Sequence, residues 1–122
     1  MVTLAIVLAL SPAAGVTAQI NRNIEAFAYR DYQTMWASYT PRYKIVCNQA
    51  KWLATVKATR ATYQEATPTA ARIRVRVRGR YAVASYRLIY NGQTVAKVAG
   101  DVYENVGGRW LDDLDTVTAC TF

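Results

Sequence analysis

Residues 71–115 read ARIRVRVRGRYAVASYRLIYNGQTVAKVAGDVYENVGGRWLDDLD, and this stretch decides the fold. Ile73, Val75 and Val77 alternate with Arg72, Arg74, Arg76 and Arg78. A period of two places the apolar side chains on one face of a strand and the guanidinium groups on the other. Asn91-Gly92 lies between two β-rich runs, and this pair suits a type I′ hairpin turn, in which both central residues need φ > 0. Gly107-Gly108 marks the next reversal. The pattern predicts an antiparallel meander with strands at about 71–78, 81–90, 93–105 and 109–117. Counting back from a two-residue turn, Tyr90 opposes Gln93, Tyr86 opposes Lys97, Ala84 opposes Ala99 and Ala82 opposes Asp101. Both sheet faces are then largely apolar, so the second needs cover from helices, a partner subunit, or both.

Upstream, the spacing turns helical. Ile20, Ile24 and Phe27 predict a helix over residues 19–30. Asp31 can cap a second helix, with Tyr32, Met35, Trp36 and Tyr39 along one stripe. Thr40-Pro41 stops it, and Pro41 suits the first position of a short new turn through Val46. Asn48 caps the third main helix, where Trp52, Leu53, Val56 and Tyr63 share a face. The fold class expected is α+β, with three N-terminal helices packed on a curved, mainly antiparallel sheet.

The chain has 122 residues and a net charge of +7 without a single histidine. Ser-His and Cys-His nucleophiles are therefore excluded, and so are histidine-ligated metals. Two cysteines cannot make a four-ligand zinc site without unusual help from carboxylates, and no phosphate-cradling glycine loop is present, so neither metal nor cofactor is expected. Residues 1–18 carry no charge, with an apolar run from Val2 to Leu10 and small residues up to Ala18. They look like a secretory signal, although no Lys or Arg precedes the apolar run. An apolar first helix packed on the domain, or the remnant of an anchor for a periplasmic assembly, are the other readings. One domain is expected over residues 19–122. In an oxidising compartment Cys47 and Cys120 would form a disulfide, stabilising by roughly 4 kcal/mol for a loop of that size. Two buried free thiols are the alternative.

Three local patterns resemble the nuclear transport factor 2-like superfamily, its SnoaL-like and secreted bacterial branches above all. They are Asp31-Tyr32 followed by Met35-Trp36, the run Gly79-Arg80-Tyr81-Ala82-Val83-Ala84, and Gly107-Gly108-Arg109-Trp110. The resemblance spans about residues 20–117. It implies a cone-shaped roll with a pocket between helices and concave sheet, often a homodimer through the outer sheet face. The superfamily includes isomerases, dehydratases, epoxide hydrolases and non-enzymatic binding modules, so it implies no single activity. The histidine of its dehydratase-like members is absent here.

Asp101 and Asp112 are the candidate catalytic carboxylates. On the wall of an apolar cavity either could act as a general base, whereas salt bridging is the structural alternative: Asp101 to Lys97 or an arginine, and Asp112, Asp113 and Asp115 to the arginine row. Small Ala82 and Ala84 are expected to leave room for that cavity. Tyr32, Trp36 and Tyr103 are expected to line it and orient a small apolar ligand. Arg72, Arg74, Arg76 and Arg78 form a basic face suited to phosphates, an anionic surface or an acidic partner, or else a solvated face that blocks edge pairing. Export argues against nucleic acid. The function expected is a secreted or cell-envelope, non-catalytic module holding a small apolar ligand or a protein partner. The alternative is a cofactor-independent isomerase, dehydratase or hydrolase using a pocket carboxylate.

Overall fold

A computed structural model describes residues 10–63 and 67–114. It shows four helices packed against a four-stranded antiparallel sheet, an α+β fold. The helices are α1 (Pro12–Ala28), α2 (Tyr32–Ala37), α3 (Pro41–Val46) and α4 (Gln49–Ala61). The strands are β1 (Thr69–Arg78), β2 (Tyr81–Tyr90), β3 (Gln93–Val106) and β4 (Arg109–Asp112), in that spatial order. Among the described residues no helix is long and apolar enough to cross a membrane.

Each helix starts on a short polar side chain that accepts a hydrogen bond from an orphan N–H of the first turn. Ser11 accepts from Ala14, Asp31 from Thr34, Thr40 from Tyr43 and Asn48 from Lys51. Proline follows the cap in α1 and α3, where its missing N–H costs nothing. This corrects two expectations. Ser11-Pro12 is a helix start, so α1 begins seven residues before Gln19 and runs through the boundary expected at Ala18. The short turn through Val46 is a fourth helix.

Helix α1 joins two cores. Its Val16 and Ile20 pack against Ala82, Ala84 and Tyr103 on the sheet. Its Ala26 and Phe27 pack with Met35, Tyr39, Tyr43, Trp52 and Val56 among the helices. Small Ala82 and Ala84 seat this helix rather than leaving a void beside it. Gly15 lets it cross Trp110 closely, because a Cβ there would lie 2.9 Å from the indole Cδ1. The helix ends on Arg30, at φ 58, with Asp31 N–H donating to the Ala26 carbonyl. The buried Arg60 of α4 then donates from Nε and Nη2 to the Ala28 carbonyl, placing positive charge at the helix C-terminus.

The hairpin at Asn91-Gly92 is as expected, with φ of 53 and 75. The register beyond it is not. Tyr86 pairs with Val98, Ala84 with Asp101 and Ala82 with Tyr103, because the β2–β3 ladder shifts between Leu88 and Ile89 and again between Ala84 and Tyr86. Gly100, at φ 77, supplies the left-handed backbone beside the second shift. Each shift adds one residue to β3. Between them Ala96 and Val98 come to the face of Tyr86 and Leu88, replacing Lys97. Past the second, parity is restored, and Asp101 and Tyr103 share the face of Ala82 and Ala84 after all.

Hydrogen bonds fasten the segment between α2 and α3 to the end of the sheet. Tyr39 bridges Asp112; Asp112 N–H donates to the Ser38 carbonyl, and Thr40 N–H donates to that of Asp112. The next residue, Asp113, accepts from the Thr40 hydroxyl at 2.8 Å and from Arg42 Nε and Nη2 at 3.2 and 2.5 Å. Its side chain is 2% exposed against 61% for Arg42. The expected pairing of Asp113 with the β1 arginines is therefore replaced by pairing with Arg42, which the Tyr39–Asp112 bridge brings alongside. Asp113→Ala should lower the unfolding free energy by about 2–3 kcal/mol, since hydrogen bonds to a buried charge are lost. Arg80→Ala, which removes an exposed pair with Glu104 at 3.7 Å, should leave it unchanged. Urea unfolding of the two variants separates these outcomes.

Candidate functional site

Between the helices and the inner sheet face lies a cavity of about 520 Å³. The helical side contributes Ile24, Phe27, Met35, Tyr39 and Tyr63, and the sheet contributes Tyr86, Leu88, Ala96 and Val98. Tyr86 and Leu88 face inward by alternation from Ala82 and Ala84, and Ala96 and Val98 join them because of the first register shift in β3. Tyr63 stands edge-on to Phe27 on one side and to Tyr90 on the other, linking the end of α4 to the end of β2. Apolar walls of this size suit a small organic molecule.

The polar part of the cavity is a tyrosine–aspartate–tyrosine cluster. Asp101 Oδ2 accepts from the hydroxyls of both Tyr86 and Tyr103 at 2.9 Å. The three side chains converge because Asp101 and Tyr103 are two apart on β3 and Ala84, paired with Asp101, is two from Tyr86 on β2. Burial, followed by the charge of Asp112 and Asp101, holds the Tyr103 phenol well above the ordinary range. Burial and then the Asp101 charge do the same to Tyr86. Tyr39 is raised by burial and by Asp112. All three phenols are thus neutral at physiological pH, Tyr86 and Tyr103 donating to Asp101 and Tyr39 accepting from Trp52 Nε1.

Of the expected site residues, Asp101, Asp112 and Tyr103 border this cavity. Tyr32 and Trp36 pack on the helical core instead, where the Trp36 ring contacts Tyr39, Tyr43 and Trp52. Their place on the α2 stripe made them pocket candidates, and Met35 and Tyr39 of that stripe do line the cavity, but the Trp36 ring turns to Tyr43 and Trp52. Cys47 is buried in the same core, and Cys120 lies outside the described residues. Arg72, Arg74, Arg76 and Arg78 are exposed on β1. Tyr86 is the cluster member that strand alternation could have singled out, since it follows Ala82 and Ala84 on one face. Asp113 and Arg60 carry no local signal, as their partners are 71 and 32 residues away. Among the described residues no group of three or more metal-ligating side chains is gathered.

No family profile, curated protein or solved structure matches the chain.

Raised phenol pKa values fix a pH dependence. A group whose folded pKa lies above its unfolded value contributes stability that is complete below the unfolded pKa, about 10 for tyrosine, and is lost as pH rises beyond it. Of the nine tyrosines, Tyr39, Tyr86 and Tyr103 should therefore stay neutral until the fold opens in alkali. Near-ultraviolet titration should show a reversible early phase, then a steep late phase that coincides with loss of circular dichroism. A single early phase for every tyrosine would contradict the buried cluster.

Proposed function

We propose that this protein is a non-catalytic binding domain of the nuclear transport factor 2-like kind, secreted or held in the cell envelope, which encloses a small, largely apolar ligand. The observation that carries this reading is the cavity itself: apolar side chains make most of its lining, and one hydrogen-bonded polar cluster is placed to orient an occupant. The +7 chain presents acidic and phenolic groups at this inner site. That favours neutral ligands carrying a hydroxyl or amine over carboxylates.

The alternative is a cofactor-independent isomerase, dehydratase or hydrolase with Asp101 or Asp112 as general base. The Asp101 cluster supports it in composition but not in detail. Oδ2 already accepts two phenol hydrogen bonds, so a substrate proton would have to displace one of them or go to Oδ1. A Cys47–Cys120 disulfide completes the proposal.

1-Aminoanthracene, a neutral fluorescent amine, tests the pocket. Saturable binding with blue-shifted emission is expected, abolished by Val98→Trp, which fills the hollow, at an unchanged unfolding midpoint. Absence of saturable binding, or binding indifferent to Val98→Trp, would overturn the reading. For the disulfide, alkylation of denatured protein made in an oxidising compartment should add no mass before reduction and two adducts after it. Two adducts without reductant would refute the pairing.

A further inference from the structure

The helices cover one side of the sheet, and the other side has a separate character that the cavity does not explain. On β1, Arg74, Arg76 and Arg78 point outward and are exposed, while Arg72, also exposed, stands at φ 55 where the β1–β2 register shifts between Ala71 and Arg74. Alternate residues on a strand are about 6.6–6.8 Å apart, so Arg74 to Arg78 span about 13 Å. Among the described residues the ion pairs are Arg42–Asp113 and Arg80–Glu104, and neither involves these four arginines. Beside the row, β2 places Tyr81 opposite Arg78 and Val83 opposite Arg76. These two remain 36% and 43% exposed. Further along the face, Arg87 pairs with Lys97. A single edge charge would suffice to discourage strand addition; a row of unpaired cations with apolar groups between them exceeds that need.

We infer that this outer sheet face docks on an anionic lipid bilayer, the arginines meeting lipid phosphates while Tyr81 and Val83 enter the interfacial zone. Charge complementarity selects an anionic partner. The exposed tyrosine and valine select a bilayer among anionic partners, because interfacial binding combines cations with apolar contact. A second copy of this chain on the same face would bring cations against cations across a two-fold axis. This inference does not depend on the cavity having a ligand.

Co-sedimentation with vesicles tests it. The full chain should pellet with vesicles of phosphatidylcholine containing a quarter phosphatidylglycerol, and not with phosphatidylcholine alone. Binding should weaken as salt is raised. Each arginine neutralised should weaken partitioning about fivefold, so the exposed double variant Arg74→Gln/Arg76→Gln should lose roughly 25-fold. Val83→Ser should weaken it further, whereas the cavity-filling Val98→Trp should leave it unchanged. Four results would overturn the inference: no binding to anionic vesicles, binding unaffected by the arginine variant, tighter binding to single-stranded oligonucleotide than to vesicles at equal salt, or a dimer whose dissociation follows the arginine substitutions.

Discussion

Asp113 sits where the two halves of the chain meet, and its buried carboxylate must find donors there. Taking a charge out of water is costly unless hydrogen bonds replace the water. Thr40 and Arg42 provide them. The same Thr40 hydroxyl caps α3, so one oxygen both starts a helix and anchors that helix to the sheet. The backbone bridge between Tyr39 and Asp112 then fixes the height at which the helices stand over the strands. The interior hollow exists because this attachment, together with α1 across Ala82 and Ala84, holds the helical aromatic core away from Leu88 and Val98.

The cavity and the outer face divide the protein's polar character. Inside, the groups bordering the hollow are largely carboxylates and phenols, the latter kept neutral by burial. Outside, the sheet is rich in guanidinium groups. A β-strand can serve both because successive side chains point to opposite sides. Ile73 and Val75 pack beneath α1 while their neighbours Arg74 and Arg76 face water. Stability and charge display are therefore carried by the same ten residues of β1 and do not compete.

The sequence signals that proved readable were those with a local cause. Asn91-Gly92, the caps at Asp31 and Asn48, Pro41 at the start of α3, and the limits of β2 and β3 all depend on backbone preferences within a few residues, whereas β4 stops at Asp112, short of the expected 117. The start of α1 was equally local, but Ser11-Pro12 resembles a break as much as a beginning. The register was not readable, because the extra residues of β3 depend on how two strands curl together, and Gly100 alone does not say on which side of the ladder a bulge falls. Tyr32 and Trp36 share a helical stripe with Met35 and Tyr39, and periodicity cannot tell which neighbour that stripe meets. Arg60 reaches the end of α1 only once α4 has packed, so nothing near position 60 announces it.

The paired shifts in β3 have an evolutionary consequence. The surplus residue at each shift is one left without a partner across the ladder, so a lineage that dropped it would keep every pair on either side, with Asp101 and Tyr103 still indoors on a less strongly bent ribbon. Losing a paired residue while both bulges stay would instead turn the following side chains inside out, sending Asp101 and Tyr103 into solvent and Val102 toward α1. The two bulges are therefore the places where this strand can shorten by one.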